Sequence, residues 1–235
     1  MKEAGVTMLD DDNLDDGVRR AGPPAHQKVY AQLRERILFG DLAPGQPVTI
    51  QGIVADLGVG MTPVREALRR LTAEGALIFQ GNRRISVPVL TAQDLDDVGF
   101  MRGALEPELA RRATPRAMNA DIDQLESIDI ELDRAIAKGD VGGYLRLNYA
   151  FHDTLYAIAG APMIAGQVDA LWLRFGPSLR DVLTGDAPQS LPDQHKLLIA
   201  ALRRGDAQSA AQAVAADVAQ GVARLSLGLA PALTL

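Results

Sequence analysis

The stretch GVGMTPVREALRRLTAEGAL, residues 58–77, limits the fold of this chain more than any other segment. Glycines stand at both ends, where they favour turns because Gly adopts backbone conformations that end a helix. Between them, Val64 and Leu68 recur at helical spacing and mark an apolar face. We expect Thr62 to cap this helix and Pro63 to take its first position, where a missing N–H costs nothing. The segment predicts a short amphipathic helix bounded by turns.

The segments around this helix predict the rest of a small domain. Apolar residues recur every four positions between Ala25 and Phe39, which indicates a first helix, and IQGIVADLG indicates a second helix that stops at Gly58. The intervening DLAPGQPV is predicted to be a loop because it is rich in Pro and Gly. After the third helix, ALIFQ and RRISVPV flank a Gly-Asn pair, a pattern typical of a β-hairpin. Three short helices followed by a two-stranded wing describe a winged helix-turn-helix.

The remainder of the chain shows only helical periodicity, so the predicted fold class is mainly α. About six helices follow the wing, and the first of them starts with a predicted capping box of Thr91 and Asp94. We therefore predict a disordered acidic tail at 1–22, a winged helix-turn-helix domain at 23–90, and an all-helical bundle at 91–235.

Charge is distributed unevenly along the chain, and the charge of each part indicates what kind of partner it binds. The whole chain has a formal net charge of −6, yet residues 23–90 hold eight basic and five acidic residues, a net charge of +3. A basic excess confined to the winged region is typical of nucleic-acid binding. Cys is absent, and the sequence shows neither an apolar run long enough to span a bilayer nor a signal peptide. We expect a cytoplasmic protein with no membrane contact.

The order of these motifs resembles the GntR family of bacterial transcription regulators. The resemblance rests on GDLAPGQPV, on DLGVGMTPVREALRRLTAEGAL and on the glycine of the wing. The helical remainder resembles the FadR-type ligand-binding domain of that family through MRGALEPELA, LNYAFHDTLYAIAG and DQHKLLIAALRRGD. The resemblance implies a homodimer that binds double-stranded operator DNA, more often as a repressor, and that responds to a small carboxylate effector.

A recognition helix enters the major groove by its N-terminal end, so the start of the third helix and the wing should contact DNA. Arg65 is the favoured base or phosphate contact because its guanidinium can bind guanine bidentately. The alternative is that these arginines form an ordinary solvated face. The full set of predicted DNA contacts is Arg34, Gln51, Met61, Thr62, Pro63, Arg65, Arg69, Gln80, Gly81, Asn82 and Arg83.

Two positions depart from the family pattern. Gly60 and Met61 replace the usual Ser-Arg pair before Thr62, and Gln51 stands where the second helix often carries an arginine. Each lost arginine removes a phosphate contact, so we expect weaker and less salt-dependent binding than in arginine-rich relatives. Gln51 can read adenine and Met61 can contact a thymine methyl, which favours a different operator. The alternative is a regulator that has lost DNA specificity and acts through protein contacts.

The resemblance also implies a divalent metal site in the helical domain. The positions that match the family's ligands are Asn148, His152, His195 and Asp217, with Asp217 in place of the usual His. Such a donor set suits Zn, Mn, Fe or Ni. The alternative from the residues alone is that Asp217 accepts hydrogen bonds from both imidazoles and that no metal binds.

Arg102 and Arg146 are the predicted effector-binding residues, since an arginine can hold a carboxylate bidentately. The alternative for Arg102 is a helix-surface pair with Glu106, four residues further on. A metal held by two His and Asp217 also suggests a hydrolase in which the metal activates water. No second motif supplies a general base, so we predict a regulator rather than an enzyme.

Overall fold

A computed structural model of the protein describes residues 24–80, 84–183 and 193–229. The predicted acidic tail at 1–22 and the predicted wing tip of Gly81, Asn82 and Arg83 lie outside these ranges. The N-terminal part consists of α1 (Ala25–Leu38), β1 (Pro47–Val48), α2 (Ile50–Leu57), α3 (Met61–Ala73), β2 (Ile78–Gln80) and β3 (Arg84–Ser86).

The helix-turn-helix of α2 and α3 is set by local signals. The hydroxyl of Thr49 accepts a hydrogen bond from the Gly52 amide at the start of α2, and Gly58 ends that helix with φ of 64°. The prediction that Thr62 caps α3 is wrong, because Gly60 is the N-cap and the helix begins at Met61. Pro63 is thus the third helical residue, still within the first turn, where its missing N–H breaks no intrahelical bond.

The wing is a three-stranded antiparallel sheet with the strand order β1-β3-β2. The predicted hairpin is present, with Phe79 opposite Ile85. The segment predicted to be only a loop also contributes a strand, in which Val48 pairs with Ile85. This strand was missed because it has two residues and begins with Pro47, in a run rich in Pro and Gly.

Six helices form the C-terminal part among the residues that the structure describes, as the periodicity predicts. The capping box of Thr91 and Asp94 is present at the first of them. Gly139 and Gly160 end two of the helices with positive φ. The six helices are α4 (Ala92–Ala113), α5 (Asn119–Lys138), α6 (Val141–Ala159), α7 (Pro162–Leu183), α8 (Gln194–Arg203) and α9 (Ala207–Leu229). Within the described ranges, none of the helices has the length and apolar character needed to cross a membrane.

The C-terminal end of α1 docks directly against α7. The guanidinium of Arg180 donates to the Phe39 carbonyl at 2.9 Å and to the Asp41 carboxylate at 2.6 Å. Gly176 permits the close approach, since a Cβ at this position would lie 2.5 Å from the carbonyl oxygen of Leu38. The winged part is therefore held on the helical part by backbone contact as well as by ion pairs.

Candidate DNA-binding face and effector cavity

The first turns of α3 present an exposed polar face. Met61, Thr62, Arg65 and Arg69 are exposed, and Pro63 is half-buried. Within the described residues, Arg65 and Arg69 make no hydrogen bond or ion pair, so both guanidinium groups are available to a ligand. No side chain caps α3, which leaves its first amides free for a phosphate.

Arg70 lies outside this face although it belongs to the same helix. Its Nε donates to Glu74 at 2.9 Å, and its guanidinium lies 3.7 Å from the centre of the Tyr30 ring. These contacts turn Arg70 toward α1. The structure therefore separates the arginines of α3 into two without a side-chain partner among the described residues and one, also exposed, that contacts Glu74 and Tyr30.

Two further predicted DNA contacts are exposed near α3. Gln51 lies in the first turn of α2, and Gln80 ends β2. Arg84 is also exposed, at the start of β3, where it can reach a phosphate. The three residues of the wing tip remain predictions because they lie outside the described ranges.

Arg34 is placed away from the other predicted DNA contacts. Its guanidinium donates to the hydroxyl of Tyr149 at 3.3 Å and to the carboxylate of Asp169, so it faces α6 and α7. Burial favours the neutral form of Arg34, but the Tyr149 hydrogen bond and the Asp169 charge more than offset this and raise its pKa. Arg34 joins the two parts of the molecule, so a phosphate contact does not fit its position.

Three of the four predicted metal ligands meet between α6, α8 and α9. His152, His195 and Asp217 each offer a ligand atom, and these atoms lie within 4.8 Å of one another. The Nε2 atom of His152 lies 3.2 Å from an Asp217 oxygen. Both imidazoles are buried, with 1% and 7% of their surface exposed. We call these three residues the His–His–Asp cluster.

The unpaired nitrogens of the cluster fit a divalent metal. Nδ1 and Nε2 of His152 and Nε2 of His195 are buried and make no hydrogen bond in the part of the chain that the structure describes, since the Asp217 oxygen near His152 is close enough but not in hydrogen-bond geometry. Burying a polar atom without a hydrogen-bond partner costs free energy, and a bound ligand would remove this cost. The carboxylate of Asp129 lies 3.2 Å from Nδ1 of His195 and leaves Nε2 to face the cluster, as carboxylates commonly do for metal-binding His.

Asp217 is ionised at neutral pH. Burial disfavours the charged carboxylate, but the two imidazoles and Arg102 more than offset this and lower its pKa to about 2. An ionised carboxylate beside two imidazoles is a common zinc donor set. Asn148 lies one turn before His152 on α6 and lines the same cavity as Asp217, which places the fourth predicted ligand beside the cluster.

The cavity has two chambers that share Tyr144, Asn148, Asp217, Gln220 and Arg224. The inner chamber, of about 50 Å³, is completed by Arg102, Trp172, Phe175, Leu179, Val182, Leu183 and Gly221. The outer chamber, of about 360 Å³, is completed by Leu132, Asp133, Ile136, Asp193, Gln194 and His195. The larger volume falls within the range of small-molecule sites.

Arg102 lines the inner chamber but is already paired. Its Nε donates to Glu106 at 2.5 Å and its terminal nitrogen to the other Glu106 oxygen at 3.3 Å. The guanidinium lies 4.9 Å from the Trp172 ring centre and 4.1 Å from that of Phe175. The Tyr156 hydroxyl also donates to Glu106, at 2.8 Å. The alternative of a surface pair does not fit, because Arg102 and Glu106 are 3% and 0% exposed.

Arg146 is not brought to the cavity. It is exposed, donates to Glu35 at 2.8 Å and to Asp41 at 3.4 Å, and lies 4.6 Å from the Phe39 ring centre. Its side chain leaves α6 on the face opposite the chambers, toward α1. The predicted effector role of Arg146 therefore does not fit its position.

Sequence reasoning missed Arg224 as a cavity residue and Asp129 as the partner of His195. A signal for Arg224 exists, because Asp217, Gln220, Gly221 and Arg224 follow the i, i+3, i+4, i+7 spacing of one helix face. We call these four residues the α9 stripe. They interrupt a helix that is otherwise rich in Ala and Val, which indicates a face turned toward a polar site. The pairing of Asp129 with His195 joins positions 66 residues apart, so no local pattern reveals it.

Comparison with known proteins identifies the families to which the two parts of this architecture belong. Residues 25–87 match the family described as bacterial regulatory proteins, gntR family, and residues 97–220, more than half of the chain, match the FCD domain. The HTH-type transcriptional regulator McbR of Escherichia coli K12 is 28% identical over 201 residues, which cover 84% of this chain and 91% of that protein. The Nta operon transcriptional regulator of Aminobacter aminovorans is 34% identical over 116 residues, 49% of this chain and 55% of that protein.

Solved structures agree with the sequence relatives. The structure of E. coli McbR/YncC has a TM-score of 0.81 and 27% identity, and covers 87% of this chain and 98% of that chain. A GntR regulator from Rhodococcus sp. RHA1 shares the fold with a TM-score of 0.70 and 21% identity, covering 86% of this chain and 97% of that chain. The chain belongs to the GntR family of bacterial transcriptional regulators, in the FadR-like subfamily that joins a GntR helix-turn-helix domain to an FCD domain.

Proposed function

We propose that this transcriptional regulator is a homodimeric repressor whose operator affinity is controlled by a small organic acid, with a divalent metal at the His–His–Asp cluster. The observation that supports the proposal is that one chain combines an uncapped, arginine-bearing α3 with a cavity lined by His195, whose Nε2 has no hydrogen-bond partner among the described residues. The first feature binds DNA and the second binds a ligand. A regulator needs both, and an action on chromosomal DNA implies a cytoplasmic protein.

A metal in the cluster would be held by His152, His195 and Asp217, with Asn148 beside them. When bound, it would supply a Lewis-acidic site for a carboxylate oxygen of the effector. Asp129 orients His195, and Arg102 with Glu106 fixes the wall of the inner chamber. Because Asp129 and Glu106 are engaged in these contacts, neither is free to act as the general base of a hydrolase, which favours a sensing role.

The α7 helix offers a physical connection between the cavity and the winged domain. Trp172 and Phe175 line the inner chamber, while Asp169, Gly176 and Arg180 of the same helix contact α1 or the segment that follows it. An effector that displaces α7 must therefore displace α1 or break these contacts. Such a change would alter the spacing of two α3 helices in a dimer, provided that the effector binds the DNA-competent and DNA-incompetent states with different affinity.

Replacing Arg65 by Ala tests whether α3 binds DNA sequence-specifically. We expect the affinity for DNA from the region upstream of its own gene to fall about 10- to 100-fold, because a bidentate base contact contributes about 1–3 kcal/mol. The measurement is fluorescence anisotropy with labelled upstream and scrambled duplexes at two salt concentrations.

Arg70→Ala is the matched control, since it removes the same charge from the same helix but from a side chain held by Glu74. We expect this variant to keep the preference for upstream DNA. An Arg65→Ala protein that still prefers the upstream duplex as strongly as the wild type would refute the reading role of α3. Equal binding of both duplexes by the wild type would favour the alternative of a regulator that acts through protein contacts.

The dimer is tested by sedimentation. One winged helix reads few bases, so specific binding of an operator favours two copies on a pseudo-palindrome. We expect sedimentation equilibrium at micromolar concentration to give twice the chain mass of 25.1 kDa. A mass equal to one chain, both alone and with operator DNA, would contradict the dimer.

A further inference from the structure

Arg224 is a cation in the effector cavity that lacks an anionic partner. It lines both chambers, and its Nε is buried without a hydrogen-bond partner among the described residues. Its guanidinium lies beside Tyr144; burial raises the pKa of the Tyr144 hydroxyl, and Arg224 lowers it to a smaller extent. Within the described ranges, no carboxylate lies within ion-pair distance of Arg224.

The inner chamber contains a second arginine, but its charge is already balanced. Arg102 donates two hydrogen bonds to the carboxylate oxygens of Glu106 and is enclosed by two aromatic rings. A ligand carboxylate at Arg102 would have to compete with Glu106 for the same donors. Arg224 offers a free Nε and its charge without such competition, so it is the stronger anion-binding group of the two.

We propose that Arg224 binds a carboxylate of the effector and that the effector is a dicarboxylic acid. The inference deepens the proposed function and depends on its effector site. Arg224 supplies one positive centre, and a divalent ion at the His–His–Asp cluster, opposed by the single charge of Asp217, supplies another. Two separate positive centres are best matched by two separate negative groups.

The spacing on α9 supports a short, two-ended ligand. Asp217 and Arg224 are seven residues apart on one face of the helix, about 10 Å along its axis. The long side chain of Arg224 reduces the span that a ligand must bridge. The side chains of Leu132 and Ile136 give the outer chamber, of about 360 Å³, an apolar wall, which suits a chain of methylene groups.

The experiment titrates zinc-loaded full-length protein with succinate, glutarate and adipate, each compared with the monocarboxylate of equal chain length, by isothermal titration calorimetry. We expect at least one dicarboxylate to bind about tenfold or more tightly than its monocarboxylate, because a hydrogen-bonded charge pair has this magnitude. In Arg224→Gln, the preference should disappear while the monocarboxylate keeps its affinity. Thermal melting of each variant verifies that it is folded.

Arg204→Gln is the matched control, because Arg204 is exposed at the end of α8 and far from both chambers. We expect it to bind every acid as the wild type does. A dicarboxylate preference that survives in Arg224→Gln overturns the role of Arg224, whereas equal binding of monocarboxylates and dicarboxylates by the wild type overturns the ligand class. Neither result affects the Arg65→Ala test of DNA reading. Failure of the wild type to bind any of these acids overturns the inference, and the DNA assay still decides the proposed regulator.

Discussion

Replacing Glu106 by Ala is expected to lower the free energy of unfolding by about 3–5 kcal/mol, because it leaves a buried charge without its partner. Arg102 and Glu106 are 3% and 0% exposed, so water cannot take over the lost contact. Burial favours the neutral guanidine, but the charge of Glu106 more than offsets this and raises the pKa of Arg102. The Arg102 side chain stays charged even without Glu106, because a guanidinium is not deprotonated in proteins, so the variant must bury an unpaired cation. Urea denaturation at neutral pH measures the loss.

Glu108→Ala provides the control for this prediction. Glu108 lies on the same helix and pairs with Arg111 and Arg112, but these side chains are 35–49% exposed and therefore in contact with water. Exposed pairs contribute about 0–1 kcal/mol, so the expected loss is small. A double variant with Met for Arg102 and Leu for Glu106 should recover most of the stability, since apolar residues can replace a buried pair. Equal losses of unfolding free energy in Glu106→Ala and Glu108→Ala would show that the buried pair contributes no more to stability than the exposed one.

The secondary structure could be predicted because its signals are local. The apolar residues Val29, Leu33 and Ile37 recur every four positions and are all buried in α1. Thr91 and Asp94 form the expected capping box. The cap of α3 was misplaced because Gly60, which has no side chain to accept a hydrogen bond, starts the helix through its extended backbone alone.

The surroundings of individual arginines could not be predicted, because they depend on contacts between distant segments. Arg34 and Asp169 are 135 residues apart, and Arg146 and Glu35 are 111 residues apart. Helical periodicity shows which residues share a face but not what covers that face. The same limit hid Asp129, whose partner His195 lies on another helix. Motif matching succeeded for the His–His–Asp cluster, since the resemblance identified positions that the fold brings together.

Replacing Asp217 by Ala is expected to weaken zinc binding more than 100-fold. Loss of a residue that only supports a metal ligand typically costs 10- to 100-fold, and loss of a ligand itself costs more. In the wild type, the carboxylate would balance part of the charge of an ion held by the His152 and His195 nitrogens. The measurement is competition for Zn²⁺ with a chromophoric chelator, with circular dichroism to verify that the variant is folded.

Two companion variants separate a metal ligand from a simple hydrogen-bond acceptor. Asp123→Ala removes an exposed carboxylate that pairs with Arg203, and should leave zinc affinity unchanged. Asp217→His replaces the carboxylate with another zinc donor and should retain most of the affinity. If Asp217→His and Asp217→Ala lose zinc equally, or if the wild type binds no more tightly than Asp217→Ala, Asp217 serves only as a partner of the two imidazoles. Retention by Asp217→His alone would identify position 217 as a metal ligand, because an imidazole replaces a carboxylate there only through the metal.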